Sequence, residues 1–171
     1  LFEEGTLAPG RIVGVRQTPD KRIWIATRSA IQTLDTAGQT LSTPSELKNL
    51  EDDIIGFEID SAGRLWLGLA GKIAVYRPET SQIFSFELPK SQFPDNSSVV
   101  DFAVDGDKLY ALINKAGIFE VKWMNQRPVF ENASSSLDLQ DTDLFKVVKN
   151  KEELWIATLG SGVFIVNKKT S

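Results

Sequence analysis

One unit recurs four times along the chain, and it restricts the fold more than any other feature. The stretches RIWIATRSAIQTLD (22–35), RLWLGLAGKIAVYR (64–77), KLYALINKAGIFEV (108–121) and ELWIATLGSGVFIV (153–166) align on an aromatic residue. Those anchors are Trp24, Trp66, Tyr110 and Trp155, spaced 42, 44 and 45 positions apart. Units of this kind cannot bury their apolar faces alone and gain a core only by stacking on one another.

Each unit has the same inner grammar. An apolar, β-branched run precedes every anchor: RIVGV (11–15), IIGFEI (54–59), VVDFAV (99–104) and LFKVV (144–148). The short connections TPDK (18–21), DSAG (60–63), DGDK (105–108) and KNKE (149–152) are built from turn formers. Further strands follow in QIFSFEL (82–88) and RPVFEN (127–132). Runs of four to seven residues broken by Gly, Pro, Asp or Asn are too short and too interrupted for helices. A period near 43 with four strands per unit reads as all-β, a β-propeller of four four-stranded antiparallel repeats. The blades are expected at about 10–41, 52–88, 97–131 and 142–167, with 1–9 an outer strand and its linker. Either the four blades close a ring, residues 1–5 completing the last, or they form an arc of a larger propeller. An arc would leave apolar faces or edges through which two copies could pair. The start at Leu1, without an initiator Met or a leader pattern, reads as a piece of a longer precursor.

Composition narrows the chemistry. The 171 residues contain no cysteine and no histidine, which removes disulfides, thiolate or His-ligated metals, and Ser-His-Asp or Cys-His catalysis. The net charge is −4 with no basic block, which argues against nucleic acid as a partner. No apolar run approaches the roughly 18 residues needed to span a bilayer. No loop has the glycine-bearing, oxygen-rich pattern of a calcium site, DGDK at Asp105–Lys108 being read as a turn, and no cofactor is implied. A glycosidase would need two carboxylates roughly 5–10 Å apart, which nothing in the linear pattern supplies. The expectation is a non-enzymatic chain without cofactor or metal.

Candidate binding residues follow from topology. Longer polar links at 40–52, 89–98 and 131–142 share one face with the turns Arg28–Ala30, Ala70–Lys72, Asn114–Gly117 and Leu159–Gly162. Loops on a rigid scaffold concentrate function, so that face is the expected binding face. Arg28, Lys72 and Lys115 fall in its turns, while Asp53 and Asp143, with Asp52 and Asp141 beside them, precede inner strands near the mouth of the channel. Together they would line a polar pocket. The four anchors are read as core residues that pack blade on blade. Trp123, in VKWMNQ, lies outside that register and is expected at a surface, as a partner contact or a sugar-stacking platform.

Over about residues 10–167 the units resemble the two-component regulator propeller repeat: a turn with Asp and Gly, an aliphatic-Trp-aliphatic-Gly/Ala-Thr strand, a Gly-rich turn and an aliphatic-x-x-Tyr strand. The second unit supplies Asp60, Gly63, Leu65-Trp66-Leu67-Gly68, Gly71 and Tyr76; the first has Ile23-Trp24-Ile25-Ala26-Thr27 and the fourth Leu154-Trp155-Ile156-Ala157-Thr158. The third departs most, with Tyr110 for Trp and Leu112-Ile113 for Ala-Thr, and the first lacks both turn glycines. The resemblance implies a periplasmic or otherwise extracytoplasmic sensor segment ahead of a membrane helix and a cytoplasmic kinase or diguanylate cyclase. It also implies a small-molecule or oligosaccharide ligand. The alternatives are a scaffold that docks other proteins, including a second copy, and a propeller hydrolase or lyase.

Overall fold

The computed structural model describes residues 6–35, 37, 40–133 and 143–167. Alternating apolar and polar residues, rich in Ile, Val, Phe and Trp, run as strands between turns that need special backbone angles. The turns at 18–22 and 60–64 show why the sequence breaks there. Thr18 and Asp60 close them by donating their backbone N–H to the Arg22 and Arg64 carbonyls at 3.0 and 3.1 Å. Lys21 and Gly63 take the left-handed conformation at φ 70° and 76°. Glycine meets that requirement without strain, while the lysine does not.

The first blade pairs β1 (Ile12–Gln17), β2 (Ile23–Thr27), β3 (Ile31–Asp35) and β4 (Thr40–Ser42) in chain order, antiparallel throughout. The second repeats the pattern with β5 (Gly56–Ile59), β6 (Leu65–Gly68), β7 (Lys72–Arg77) and β8 (Gln82–Glu87). The third does so with β9 (Val99–Asp105), β10 (Lys108–Ile113), β11 (Gly117–Met124) and β12 (Arg127–Asn132). The fourth shows three strands among the described residues, β13 (Leu144–Asn150), β14 (Glu153–Thr158) and β15 (Val163–Asn167). The expected completion of that blade by residues 1–5 falls outside the described residues. Thr40–Ser42, read from sequence as linker, instead forms the outer strand β4. No described helix is long and apolar enough to cross a membrane.

The core lies between blades, not within them. At the first junction Trp24, Ala26 and Ile31 pack on Phe57, Ile59, Leu65 and Leu67, with Leu47 and Ile54 of the link as plugs. At the second, Trp66, Ile73 and Val75 meet Phe102, Leu109 and Ala111, plugged by Leu88 and Phe93. At the third, Tyr110, Leu112 and Ile118 meet Leu144, Val147, Leu154 and Ile156. The repeat anchors therefore serve as the contact of one blade with the next: Trp24, Trp66 and Tyr110 are 1%, 1% and 4% exposed. Trp155 corrects the expectation for the fourth anchor. It is 41% exposed, beside the exposed Val148, Val163 and Ile165, because no described blade lies over it. On the opposite flank Ile12 and Val15 of the first blade are also exposed. The Arg11 guanidinium lies 5.7 Å from the centre of the Phe145 ring, so the first and fourth blades meet there.

Charged pairs tie neighbouring inner strands. Arg16 of β1 donates to Glu58 of β5 at 2.6 Å. Asp101 of β9, almost fully buried, accepts from the Lys146 ammonium at 2.8 Å and the Val147 backbone N–H at 2.9 Å, both on β13. Burial pushes the Asp101 carboxyl above its ordinary value, against those two hydrogen bonds, which favour its charge. A carboxyl raised in the folded state holds its proton more tightly folded than unfolded. Its contribution is therefore full below the unfolded value and is lost as pH rises through the folded one. Urea denaturation at pH 4 and pH 7 should show Asp101→Asn gaining stability relative to the parent between those conditions. Asp101→Ala, which leaves the Val147 N–H unanswered, should lose about 1–3 kcal/mol at both. An Asn variant whose deficit grows with pH would contradict the assignment.

Candidate functional site

The strand ends that carry the turns between second and third strands form one face, and hydrogen bonds fasten the first three turns to the segment entering the next blade. The Arg28 carbonyl accepts from Ile54 N–H at 2.8 Å, Gly71 N–H donates to the Ser97 carbonyl at 3.0 Å, and Ala70 bridges Ser98. In the third blade the side-chain oxygen of Asn114 accepts from Leu144 N–H at 3.4 Å. The polar side chains of this face thus stand on a frame that short turn lengths and hydrogen bonds define, rather than on free loops.

The structure unites some of the residues singled out from sequence. Arg28 donates to Asp53 at 2.7 Å, and Lys72 to the adjacent Asp52 at 3.2 Å with Glu87 3.8 Å away. The hydrogen bond to Asp53, followed by its charge, raises the Arg28 guanidinium; the Asp52 hydrogen bond, then its charge and that of Glu87, does the same for Lys72. Arg28 is exposed and Lys72 partly so, and these pairs orient the groups more than they stabilise the fold. Lys115 is exposed at the tip of its turn with φ 65°, its N–H bonded to the Asn114 side chain. Asp143, also exposed, accepts the Leu159 N–H through its carbonyl at 2.8 Å. Arg28, Asp53 and Lys72 therefore gather where the first two blades meet, and Lys115 and Asp143 border the junction of the last two. Asp141 lies outside the described residues.

Trp123 does not join them. It stands eight residues along β11 from Lys115, roughly 25 Å at the rise of a strand, and it is half-buried. Its ring meets Trp66 edge-on at 5.7 Å, Phe86 at 5.9 Å and Phe84 at 6.0 Å, with the Arg64 guanidinium 5.6 Å away. It is part of the packing between the second and third blades. The DGDK stretch is a hairpin turn in which Asp105 pairs with Lys108 and Gly106 takes φ 60°.

Sequence reasoning chose the link 89–98 but missed what it builds. Between the Ala70–Gly71 turn and that link lies a cleft of about 430 Å³, bordered by Glu87, Lys90, Asp95, Asn96 and Ser97 over a floor of Phe93. Ser97 is buried and its hydroxyl has no hydrogen-bond partner. The signal was the Pro94-Asp95-Asn96 turn, which forces Asn96 to φ 62° and folds Ser97 inward.

No protein-family model matches the sequence, nor does any curated protein. Solved structures do. The extracellular domain of the hybrid two-component system BT4673 from B. thetaiotaomicron aligns with 91% of this chain at a TM-score of 0.63 and 18% identity. YCF48 bound to D1 peptide aligns with 95% at a TM-score of 0.68 and 12% identity. A virginiamycin B lyase from Staphylococcus aureus, made inactive by a histidine-to-alanine change and holding quinupristin, aligns with 90% at 0.63 and 13% identity. The fold is a β-propeller. At these identities the likeness speaks for architecture alone. This propeller chain spans 21% of the BT4673 domain and about half of the other two, 52% and 50%.

Proposed function

We propose that the chain is a ligand-sensing propeller segment of a two-component-type signalling protein, acting outside the cytoplasm and without catalysis of its own. The observation that carries this reading is the face on which blade turns are hydrogen-bonded to the links entering the next blades. That arrangement lets a ligand lodged in the cleft at Gly71 and Ser97, or against Arg28, Asp53 and Lys72, pull on two blades at once. The architectural likeness to extracellular domains of two-component systems supports it. The repeat pattern of the sequence points to the same class. Lys115 and Asp143 belong to the proposal as flanking contacts, whereas Trp123, packed between the second and third blades at the other end of β11, does not.

The test is a thermal-shift screen against oligosaccharides and small polar metabolites. A ligand at a hundred times its Kd adds about 2.7 kcal/mol, on the order of 5–10 °C for a chain of this size. Combining Arg28→Ala with Lys72→Ala, one exposed and one at the edge of its strand, should remove at least half of that shift while leaving the unliganded Tm within about 1–2 °C. A panel that shifts nothing, or a shift the double variant retains in full, would sink the sensing face.

Docking of a protein partner is the second reading. It is favoured by the match to YCF48 bound to a peptide and by the exposed flank at Trp155. A catalytic reading is the weakest. The matched lyase loses activity with one histidine, and this chain has none.

A further inference from the structure

The first and second junctions differ at one spot, and the repeat makes the difference readable. Strand registers equate the turn at 18–22 with that at 60–64: Gln17 faces Ile23 as Ile59 faces Leu65. Thr18 thus stands for Asp60, Arg22 for Arg64 and Trp24 for Trp66. Likewise Leu65 facing Tyr76 and Leu109 facing Val121 put Pro78 of the second blade where the third carries Trp123. Leu34 facing Leu41 and Tyr76 facing Ile83 put Ser42 where the second blade carries Phe84.

At the second junction the site is filled by the chain itself. The Asp60 carboxylate accepts from the Trp66 indole at 2.7 Å and from Arg64 at 2.6 Å. The Arg64 guanidinium lies 5.8 Å from the Trp66 ring and 5.6 Å from Trp123. At the first junction the three smaller residues Thr18, Pro78 and Ser42 take those places. Two clefts of about 270 and 310 Å³ result, both bordered by Asp20 and Arg22. Trp24 lines the first, and its indole nitrogen, on a side chain 1% exposed, has no hydrogen-bond partner. Thr33, which lines the second, has a buried hydroxyl in the same condition. A buried N–H without an acceptor is a standing cost that a ligand supplying one would relieve. The other two indoles of the repeat register are answered by carboxylates, Trp66 by Asp60 and Trp155 by Glu153 at 2.8 Å.

We propose that the first junction binds a small aromatic carboxylic acid. Its carboxylate accepts from the Trp24 indole N–H and the Arg22 guanidinium, as Asp60 does from Trp66 and Arg64. Its ring lies beneath Arg22 against Pro78, where Trp123 lies beneath Arg64. Asp20, half exposed and paired with Arg22 at 2.9 Å, turns outward to admit it. The clefts sit at the lower end of small-ligand sites in size. They lie at the strand ends opposite the proposed sensing face, so the two assignments stand or fall separately.

The probe is benzoate, titrated into the isotope-labelled chain while the four indole N–H signals are followed, that of Trp24 identified with Trp24→Phe. The Trp24 signal should move downfield and saturate. Cyclohexanecarboxylate, without the flat ring, and benzyl alcohol, without the carboxylate, should bind at least tenfold more weakly, as should benzoate to Arg22→Gln. Thr18→Asp should shift the Trp24 signal with no ligand present and abolish its response. The site is refuted if benzoate leaves the Trp24 signal in place, if benzyl alcohol or glycerol moves it as far, or if Arg22→Gln binds benzoate as the parent does. Should Thr18→Asp fail to fold, Arg22→Gln, an exposed substitution, decides.

Discussion

Replacing Trp66 with alanine is expected to lower stability by about 3–5 kcal/mol, whereas the same change at Trp155 should cost about 1 kcal/mol or less. Both residues hold the same place in the repeat, so propensity and strand register are matched between them. What differs is the neighbour. Trp66 is covered by the third blade, meets Trp123 edge-on, and donates its indole N–H to the buried Asp60. Removing it leaves a cavity and an Asp60 carboxylate with one donor fewer. Trp155 faces outward beside Val163 and Ile165, and its N–H reaches only the exposed Glu153 pair. Urea denaturation of the two variants under one condition measures the contrast, and equal losses would refute a blade-to-blade role for the anchor. A chain this size has a stability of about 5–15 kcal/mol, so Trp66→Phe, which keeps a ring, provides a milder variant with an intermediate loss.

Gly68→Ala should be nearly as damaging, although alanine is what the first and fourth repeats carry at that place, in Ala26 and Ala157, and the third carries Leu112. A methyl group built on Gly68 would lie 2.2 Å from the Val99 carbonyl oxygen and 3.0 Å from its carbon. Both are backbone atoms of the next blade's inner strand, and they cannot rotate aside as a side chain would. The Val99 N–H is in turn bonded to the Leu69 carbonyl and Ala70 bridges Ser98, so the two segments are held at that distance. Overpacking a core usually costs about 1–3 kcal/mol, and a backbone clash of this depth belongs at or above the top of that range. A measured loss below about 1 kcal/mol would mean that β9 can draw back from β6 without breaking those bonds.

The legible parts were those encoded over short distances. Trp24, Trp66 and Tyr110, the turn formers at 18–22 and 60–64 and the alternation between them announce strands and their period wherever they stand. Other features depended on depth or on a distant neighbour. Three residues of outer strand, Thr40–Ser42, carry too little pattern to separate from a link. The exposure of Trp155 is decided by what covers it, which its own segment cannot say. Trp123 read as a surface aromatic because it breaks the register, yet Arg64, Phe84 and Phe86 come from another blade to enclose it. On the candidate face, Arg28 meets Asp53 across 25 positions because the link is bonded back to the turn. The inward Ser97 and the Trp24 indole became visible only when packing was known. For Trp24 a clue was present all along: TPDKR stands where the next unit has DSAGR, a threonine in the place of the carboxylate.

That every apolar cluster belongs to two sheets at once has a consequence for how the molecule comes apart. No sheet owns enough buried surface to persist alone, so order is shared along the row and each unit leans on its neighbours. The second and third units are flanked on both sides and act as the keystone. The first and fourth each share a buried apolar cluster on one side only, their mutual contact being Arg11 over Phe145, and local opening begins there. Amides of β6, β7 and β10 are accordingly the last to exchange with solvent, and those of β14 and β15 among the first. Whatever settles over Trp155 would draw the outermost unit into the protected centre.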